Sequence, residues 1–408
     1  MVFIFRCQYF DIQRFSVQWE RSAYDDMVEM HVNRWSLNAV KYNVQEIIIV
    51  IGQLHDSAYE IPHRILNCKS LRKLEMRVWG NARKADIILP SSMSLPQLNE
   101  LTFIGLSISN VESSKRLFSS CPVLERLWIG DCDIKTDDQR KLIVDSPSLK
   151  MFVYTDHCRR LLPQNDTMDN INIKLCAPNL KIFSFRSLLM QDYSLEISSP
   201  LFGVYFDMAL EDKDENENAE AYSRLSSAEK KVYAKHMLKF LGAIYMVKAL
   251  RLSAGFLEVL SQAPDLLDSQ PSRLCNNLQH LVLDMWSTRG CLRAIAYLLK
   301  ICPRVTRLFV KSKESNSADV GDYWEAGLLC PGMLSHLGYV RFEEVEGCDA
   351  EIKLLSFLLE NAKVLKKVVL YFRSSAGSPR RARQVEQFER KLRAVPAASS
   401  SIQLVFKT

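Results

Sequence analysis

The residues of this sequence that could do covalent chemistry do not form a catalytic pattern. No GxSxG nucleophile motif, glycine-rich phosphate loop, HExxH pair or paired-carboxylate motif occurs. The seven histidines are scattered. His236 and His280 occupy positions where a structural or surface role is more common than that of a general base. We therefore expect no catalytic residue and no enzymatic activity.

The eleven cysteines resemble reduced, buried thiols more than metal ligands or a disulfide framework, and no CxxC pair is present. Four of them stand just before hydrophobic segments, where a small apolar side chain packs well: Cys68, Cys121, Cys302 and Cys330. His157 beside Cys158 lacks a second pair at ligand spacing. We expect no metal ion and no cofactor.

Charge and hydropathy favour a folded chain that binds neither nucleic acid nor a membrane. The net charge is only +6. The basic stretch RRARQVEQFERKLR is interrupted by Glu386 and Glu389 and has no interleaved aromatic pattern, which favours a solvated helix face over a phosphate-binding one. No apolar run is long enough to span a bilayer, and MVFIFRCQYFD turns polar too early for a secretory signal. We expect a cytoplasmic or nuclear protein.

Arginine and aromatic residues in short hydrophobic segments indicate a different chemistry, the binding of another protein. Each alternates with residues expected to be buried, so that its side chain would stand on the exposed face of a strand. The predicted partner-binding residues are Arg126, Trp128, Tyr205, Arg251, Arg307, Phe309, Tyr339, Arg341, Lys367 and Tyr371. An ordinary exposed strand residue is the alternative at each position. Trp128 and Phe309 are the strongest candidates, because a solvated face has no structural need for large aromatic rings.

The segments that carry these residues repeat along the chain. The phrase LERLWI at 124 has the spacing LxxLxL, and similar phrases start at 44, 71, 98, 149, 180, 247, 278, 305, 337 and 365. The steps are 27, 27, 26, 25 and 31 residues in the first half and 31, 27, 32 and 28 in the second. This period is typical of leucine-rich repeats. We predict an α/β leucine-rich-repeat solenoid, a curved parallel sheet whose concave face holds the binding residues and whose convex side holds helices or loops.

One complete repeat lies at 111 to 132. A short amphipathic helix places Val111, Leu117, Phe118 and Cys121 on one face and ends before Pro122. The strand that follows ends at a turn containing Cys132, a position where leucine-rich repeats often have Asn or Cys.

The repeats divide the chain into three predicted regions. Residues 1–43 form an N-terminal cap, with a strand in IQRFSVQWE and a helix that presents Trp35, Ala39 and Val40. Residues 44–330 form the repeats, and residues 331–408 form a C-terminal domain of strand, helix, strand, a helix beginning at Pro379, and a closing strand SIQLVF. The last helix is predicted to bury Val385, Phe388, Leu392 and Val395.

An irregular segment at 208–246 interrupts the repeats. The acidic run 211–220 is predicted to be a solvated loop, with a docking site for a basic partner as the alternative. Ser226 and Glu229 form the sequence pattern of a capping box at a helix start. The helix after it is predicted to bury a stripe of six residues: Val232, Tyr233, Met237, Phe240, Leu241 and Ile244.

These segments carry a family resemblance. The ending, with HLGYVRFEEVEG, AEIKLLSFLLENAKVLKKVVL, a charged helix and a last strand, closely resembles the FBD domain of plant F-box proteins. The repeats, especially SSCPVLERLWIGDC followed by SPSLKMFVY, resemble the leucine-rich repeats of the same F-box/LRR/FBD family. FSVQWE and NRWSLNAVKYNVQEI resemble the linker that follows the F-box. The C-terminal domain is therefore interpreted as an FBD-like cap on the solenoid.

The resemblance implies the substrate-recognition part of an SCF-type E3 ubiquitin ligase, bound to an unidentified protein. No F-box phrase precedes IQRFSVQWE in this sequence, so a Skp-type adaptor and a cullin are expected partners only if an F-box is encoded upstream. The alternative is a stand-alone leucine-rich-repeat scaffold or truncated decoy without adaptor binding. A third possibility, a small-molecule pocket inside the solenoid, is not required by any residue.

Overall fold

The computed structural model contains two compact units. The first comprises Met1–Phe185 and Gln191–Ser199, and the second comprises Arg186–Met190 and Pro200–Thr408. The division does not test the predicted boundaries at 43 and 330, which stay predictions. The structure describes residues 11–19, 28–52, 58–79, 84–137, 141–156, 171–188, 193–197, 200–209, 215–244, 246–261, 266, 277–286, 291–313, 333–373 and 379–407.

The first unit consists mostly of strands. Its helices are α1 (Val28–Lys41) and α2 (Val111–Ser119) among the residues described. Its strands are β1 (Arg14–Trp19), β2 (Glu46–Ile51), β3 (Tyr59–Glu60), β4 (Lys73–Val78), β5 (Ala85–Ile88), β6 (Glu100–Ile104), β7 (Leu106–Ile108), β8 (Arg126–Gly130), β9 (Asp133–Ile134), β10 (Lys141–Asp145), β11 (Met151–Thr155), β12 (Ile171–Cys176), β13 (Ile182–Leu188) and β14 (Tyr193–Ile197). The unit boundary falls within β13, after Phe185.

The main sheet of this unit is the row of parallel strands that the repeats predicted. Its order is β1-β2-β4-β6-β8-β11-β13. The LxxLxL residues lie in register and are buried, as in the neighbouring Leu74, Leu101 and Leu127. Burying a leucine side chain contributes roughly 1.5–3 kcal/mol, so each added strand supplies an apolar face for the next one.

The second layer of the first unit differs from the predicted helices or loops, because much of it is short parallel strands. They form the rows β3-β5-β7-β9 and β10-β12-β14. The local sequences explain this: Ala85 and Ile87 alternate with exposed residues, and the half-buried Ser107 separates the buried Leu106 and Ile108. An apolar residue at every second position suits a strand with one buried face.

Helix α2 is the repeat helix that the sequence predicted at 111. The side chain of Asn110 caps it by accepting a hydrogen bond from the backbone N–H of Ser113 at 2.9 Å. Leu117, Phe118 and the following Cys121 are buried, as predicted, whereas Val111 is only half-buried. The helix packs against β7 and β10 of the second layer.

The N-terminal strand and helix also match the prediction. Helix α1 packs against β1, and the rings of Trp19 and Trp35 lie with their centroids 5.6 Å apart. Its buried residues include Ala39, as expected, whereas Trp35 and Val40 are half-buried.

The second unit combines one parallel sheet with several helices. Its helices are α3 (Glu215–Arg224), α4 (Ser227–Ala243), α5 (Ala254–Ser261), α6 (Leu292–Ile301), α7 (Asp349–Asn361) and α8 (Pro379–Arg393). Its strands, in sheet order, are β15 (Gly203–Ala209), β16 (Ala249–Leu252), β17 (His280–Trp286), β18 (Arg307–Lys313), β19 (Tyr339–Val345), β20 (Lys367–Phe372) and β21 (Gln403–Lys407).

Aromatic contacts place α4, α5 and α8 on one side of the sheet of the second unit. The ring of Phe206 on β15 lies 5.2 Å from that of Phe240 on α4 and 5.9 Å from that of Phe256 on α5. Phe372 on β20 meets Phe388 on α8 edge to face at 5.8 Å. The residues that alternate with these core positions therefore face away from the helices. We call that side of a sheet, opposite its buried layer, the open face.

The irregular segment corrects one prediction and confirms another. Residues 215–220 of the acidic run begin α3 and are not a loop; residues 211–214 lie outside the described residues. The helix is held by Ala219 and Tyr222, which are buried, and the Tyr222 ring lies 5.2 Å from that of Trp286. The predicted capping box is confirmed, because Ser226 and Glu229 exchange hydrogen bonds at the start of α4.

The apolar stripe of α4 is largely as predicted. Five of its six residues are buried: Tyr233, Met237, Phe240, Leu241 and Ile244. The prediction is wrong for Val232, which is 49% exposed. In α8, Phe388 and Leu392 are buried, whereas Val385 and Val395 are half-buried.

A backbone hydrogen-bond ladder joins successive repeats. The carbonyl before one strand accepts the N–H groups of two residues in the next repeat: that of Gln45 accepts from Arg72 and Lys73 at 2.7 and 3.0 Å. The same arrangement follows at the carbonyls of Arg72, Asn99, Glu125, Lys150, Phe202, Lys248, Gln279, Thr306 and Gly338. Within each unit this ladder fixes the register of neighbouring strands without using side chains.

The C-terminal region contains a buried carboxylate that organises a turn. Glu351 on α7 is fully buried and accepts hydrogen bonds from the backbone N–H groups of Glu346, Gly347 and Cys348 at 3.0, 2.6 and 3.0 Å. Gly347 has a φ of +81°, which a glycine adopts without strain. Three donors satisfy this anion where water cannot reach it, so the turn between β19 and α7 depends on one side chain.

Candidate functional site

The registers of the second unit arrange the open-face residues in rows. A first row runs through His280, Arg307, Tyr339 and Lys367 on neighbouring strands. A second row, two residues further along each strand, consists of Tyr205, Arg251, Val282, Phe309, Arg341 and Val369. Tyr371 lies two residues beyond Val369. Eight of the ten predicted partner-binding residues therefore lie on the open face of this unit.

Two of the eight, Tyr205 and Arg251, are held in an internal cluster. The Tyr205 hydroxyl donates to Asp207 at 3.1 Å, and the Arg251 guanidinium lies 5.0 Å from the Tyr205 ring centroid. Burial and the charge of Asp207 raise the pKa of Tyr205. Arg186 also pairs with Asp207, at 2.7 Å. The polar groups of Tyr205 are therefore already used within the protein.

A buried acid anchors Arg251. Asp284 on β17 is 1% exposed, and both its oxygens lie 3.3 Å from a guanidinium nitrogen of Arg251. Lys313 lies 3.6 Å from the same carboxylate. Leaving a buried carboxylate without a cation would be costly, so Arg251 has a structural role that the sequence did not reveal.

Arg341 and Tyr371 form a second internal cluster. The guanidinium of Arg341 lies 4.5 Å from the Tyr371 ring centroid and pairs with Glu343 at 2.6 Å. Lys407 on β21 donates to the Tyr371 hydroxyl at 3.3 Å. These two predicted binding residues therefore also make intramolecular contacts.

The other four residues of the second unit are more available. The rings of Phe309 and Tyr339 lie 5.8 Å apart, and both residues are half-buried. Arg307 is exposed and Lys367 half-buried, and neither forms an ion pair with any residue in the described part of the chain. We call Arg307, Phe309, Tyr339 and Lys367 the basic-aromatic patch.

His280 lies beside this patch in the first row. Its partial burial, reinforced by the charge of neighbouring Arg307, lowers the pKa of the imidazole. The first row is therefore not positively charged at His280 near neutral pH, and its permanent charges are those of Arg307 and Lys367.

The first row of the first unit is different, because its charges alternate along neighbouring strands. Arg14, Glu46, Lys73, Glu100 and Arg126 lie in register on β1, β2, β4, β6 and β8. Glu100 contacts Lys73 at 2.6 Å and Arg126 at 3.0 Å. Partial burial opposes ionisation of Glu100, but the two cations outweigh it and lower the pKa of this carboxyl. Arg126, a predicted binding residue, is therefore half of an ion pair.

Trp128 lies on the open face of the first unit and is 40% exposed. Its register neighbours are Thr102 on β6 and Val153 on β11. Met151 lies beside Arg126 and is half-buried, and Ile182 on the following strand is 42% exposed. We call Trp128, Met151, Val153 and Ile182 the apolar patch.

Sequence reasoning missed three members of the apolar patch. The repeat phase that selected Trp128 also places Met151, Val153 and Ile182 on the same face, so the signal was present in the LxxLxL spacing. They were not predicted because only aromatic and charged residues were considered as binding residues.

The predicted thiols are buried where the structure describes them. Cys68, Cys121 and Cys302 are buried, Cys68 and Cys121 form no disulfide bond, and burial raises the pKa of Cys121 to about 11. Such thiols are poor nucleophiles. Cys330, His157 and Cys158 lie outside the described residues. Within the ranges that the structure describes, no group of three His, Cys, Asp or Glu side chains could hold a metal ion.

His236 lies away from both open faces, on α4, where its ring is 6.5 Å from that of Tyr233. None of the helices described here has both the length and the apolar composition needed to cross a bilayer.

Two family models match this chain. Residues 32–203 match the leucine-rich repeats of the FBD-associated F-box protein At5g56370, and residues 329–370 match FBD. The first match covers the strands of the first main sheet that follow β1, and the second covers β19, α7 and most of β20.

Several Arabidopsis thaliana proteins are similar over most of the chain. F-box/FBD/LRR-repeat protein At1g78750 is 25% identical over 400 residues, which cover 97% of this chain and 79% of that protein. FBD-associated F-box protein At1g66310 is 27% identical over 380 residues, covering 92% and 75%. F-box/LRR-repeat protein 13 is 24% identical over 403 residues, covering 97% and 80%. The family resemblance and the α/β leucine-rich-repeat fold class are confirmed.

Proposed function

We propose that this chain, which carries the leucine-rich repeats and the FBD region of plant F-box/LRR-repeat/FBD proteins, is the substrate-recognition part of an SCF-type E3 ubiquitin ligase. The chain supplies a surface that binds a protein, while other subunits carry out ubiquitin transfer. No residue of the chain takes part in covalent chemistry in this scheme.

The observation that carries the proposal is the exposure of Trp128 within the apolar patch. Trp128 is 40% exposed and Ile182 is 42% exposed, so both leave apolar surface in water that a partner would cover. Aromatic side chains in such positions are the residues that dominate the energetics of protein interfaces, because they bury a large area on binding.

The ligase context is supported by the relatives, whose names describe them as F-box proteins. In such an arrangement an F-box docks on a Skp-type adaptor, which is joined to a cullin. The recognition part then needs a rigid scaffold and a variable surface. A stack of parallel strands tied by backbone hydrogen bonds provides the scaffold.

The experiment is affinity purification of the tagged product of the full transcript from plant cells. We expect a Skp-type adaptor and a cullin to be recovered, together with a protein whose ubiquitination depends on the chain. The matched variant is Trp128→Ala, which should retain the adaptor and lose the ubiquitinated protein. Loss of both would indicate misfolding, which circular dichroism checks.

Failure to recover the adaptor with the full transcript would contradict the ligase role. The chain would then be a stand-alone scaffold or decoy that binds its partner without a ligase. We also propose the cytoplasm or nucleus as its compartment, which the buried thiols of Cys68 and Cys121 support, because neither forms a disulfide bond. A fluorescent fusion tests this, and secretion of the fusion would contradict it.

A further inference from the structure

We propose that the basic-aromatic patch, Arg307, Phe309, Tyr339 and Lys367, binds an acidic segment of the partner protein. Carboxylates of that segment would meet the two cations, and an apolar side chain would pack on the two rings. This inference rests on the proposed function as a protein-binding module, and it names the chemical class of the partner.

The patch carries two positive charges, those of Arg307 and Lys367. Arg307 and Lys367 make no ion pair with the residues that the structure describes. The nearby carboxylates are already used: Asp284 by Arg251 and Lys313, Glu343 by Arg341, and Glu344 by Lys311 and Arg373 at 2.8 and 3.1 Å. The positive charge of the patch is therefore available for an outside anion.

The register gives the spacing of that anion. Tyr339 lies between Arg307 and Lys367, on the strand between theirs. Neighbouring strands are about 4.8 Å apart, so the two cations are based about 10 Å apart. A peptide in the polyproline II conformation rises about 3.1 Å per residue with three residues per turn, so two acidic residues three positions apart lie on the same side and span about 9 Å. The expected motif is acidic, any, any, acidic.

The rings supply the second contact. Phe309 and Tyr339 lie 5.8 Å apart and are both half-buried, so one side of the pair remains open. The Tyr339 hydroxyl has no hydrogen-bond partner among the described residues. An apolar side chain of the peptide can therefore pack between the two cations while the peptide backbone meets the hydroxyl.

The surroundings favour a peptide over a nucleic acid. Glu343 and Glu344 lie on the same strand as Tyr339, next to the patch. Because Arg341, Lys311 and Arg373 balance these carboxylates, only Arg307 and Lys367 of this group are without an ion pair among the described residues. Two cations match two separate carboxylates better than a continuous phosphate backbone, which nucleic-acid-binding proteins contact with many cations. Binding of single-stranded DNA is therefore an outcome that the test must exclude.

The test uses the purified full chain and a fluorescein-labelled peptide of repeated Glu-Gly-Phe triplets, with binding followed by fluorescence anisotropy. We expect the Glu peptide to bind on the order of tenfold more tightly than its Gln-Gly-Phe counterpart, with the advantage decreasing as salt is added. The variant R307Q/K367Q should remove this advantage. R307E/K367E should instead favour a Lys-Gly-Phe peptide.

The matched control is K300Q/K363Q, which removes the same charge from exposed positions on α6 and after α7. It should bind the Glu peptide within about twofold of the unchanged chain, since a distant charge is screened. Phe309→Ala should weaken binding of the Glu and Gln peptides alike, because the ring contact does not depend on peptide charge. Thermal unfolding by circular dichroism verifies that each variant is folded.

Three outcomes would overturn the inference: equal binding of the Glu and Gln peptides, an equal loss in K300Q/K363Q, or tighter binding of single-stranded DNA than of the Glu peptide. If a variant fails to fold, the inference is decided by whether the unchanged chain binds the Glu peptide more tightly than the Gln peptide. A chain that recovers the adaptor but ignores peptide charge refutes this inference alone. A chain that binds the Glu peptide but never recovers the adaptor refutes only the ligase role.

Discussion

The two units of this protein use the same strand phrase but differ in what lies behind and in front of it. In the first unit, short strands form much of the second layer, and the first-row charges alternate and pair with one another. In the second unit, helices cover the sheet, and Arg307 and Lys367 stay without ion pairs among the described residues. The same repeat pattern can therefore give an open face whose charges pair with one another, or an open face with positive charges that have no partner among the described residues.

The difference shows that the buried and exposed positions of a repeat are set independently. Leu127 in the first unit and Leu308 in the second are both buried. Arg126 before the first forms an ion pair, whereas Arg307 before the second forms none with the residues that the structure describes. The repeat fixes where a side chain points. Its neighbours on adjacent strands decide whether it is free to bind.

The largest expected effects on stability come from removing one buried phenylalanine ring from the core of each unit. Phe206→Ala in the second unit should cost about 3–5 kcal/mol of unfolding free energy, because its ring contacts α4 and α5. Phe152→Ala in the first unit should cost a similar amount through its contact with Phe183. Urea unfolding measures both losses.

Hydrogen exchange shows where each loss falls. Phe206→Ala should raise exchange in α4 and α5, and Phe152→Ala should raise it in β11 and β13. Faster exchange of α4 and α5 in Phe152→Ala, with β11 unchanged, would contradict the expectation that each ring stabilises the core of its own unit.

The next effect concerns the turn found in the second unit. Glu351→Ala would leave three backbone N–H groups without their buried acceptor and should cost about 2–3 kcal/mol. Glu360→Ala, an exposed change on the same helix, should stay within about 0.5 kcal/mol of the unchanged chain. Equal losses from the two substitutions in chemical denaturation would contradict the role assigned to Glu351.

A binding experiment sharpens the contrast between the open faces. Trp128→Ala together with Phe309→Ala should weaken capture of the protein partner by about 2 kcal/mol while leaving the melting temperature nearly unchanged. Calorimetry with the recovered partner and circular dichroism give the two readouts. A sharp fall in melting temperature would mean that these rings belong to the core.

The smallest effect concerns the alternating charges of the first unit. Because the pKa of Glu100 is lowered on folding, its contribution is fully present above its unfolded-state pKa of about 4.3. The contribution disappears as the pH falls through the lower folded-state value. Glu100→Gln should therefore reduce stability by less than about 1 kcal/mol at neutral pH and by nothing in strong acid. Unfolding measured across the acid range tests this.

The second unit offers a matched case for that titration. Partial burial opposes ionisation of Glu344, but Lys311 and Arg373 outweigh it and lower the pKa of Glu344 as well. Glu344→Gln should show the same dependence on pH. A loss that grows toward acid in either variant would have the wrong sign and would contradict the assigned ion pairs.

The strands could be predicted from sequence because their signal is local. Each LxxLxL phrase starts two residues before an observed strand, as in LERLWI at 124 and β8 at Arg126. The phrase that forms β15 was not among the predicted LxxLxL phrases, although Leu201, Val204 and Phe206 have the same spacing and are buried. It stands before the irregular segment, where no regular step indicated it.

Helix α3 and the state of the charges could not be predicted in the same way. The helix depends on Ala219 and Tyr222 finding α5 and Trp286, which lie far along the chain. Whether an arginine is free depends on cross-strand partners: Glu100 lies 26 residues before Arg126, and Asp284 lies 33 residues after Arg251. A sequence pattern within one repeat does not contain that information.

The backbone ladder has a consequence for how such proteins diverge. Since main-chain carbonyls such as those of Gln45 and Gly338 hold adjacent repeats together, the connecting segments can change length and the open face can change composition without breaking the link. Steps of 25 to 32 residues are tolerated within this one chain. Relatives at 25% and 27% identity, aligned over 97% and 92% of this chain, can thus share the repeat scaffold while their open-face side chains differ.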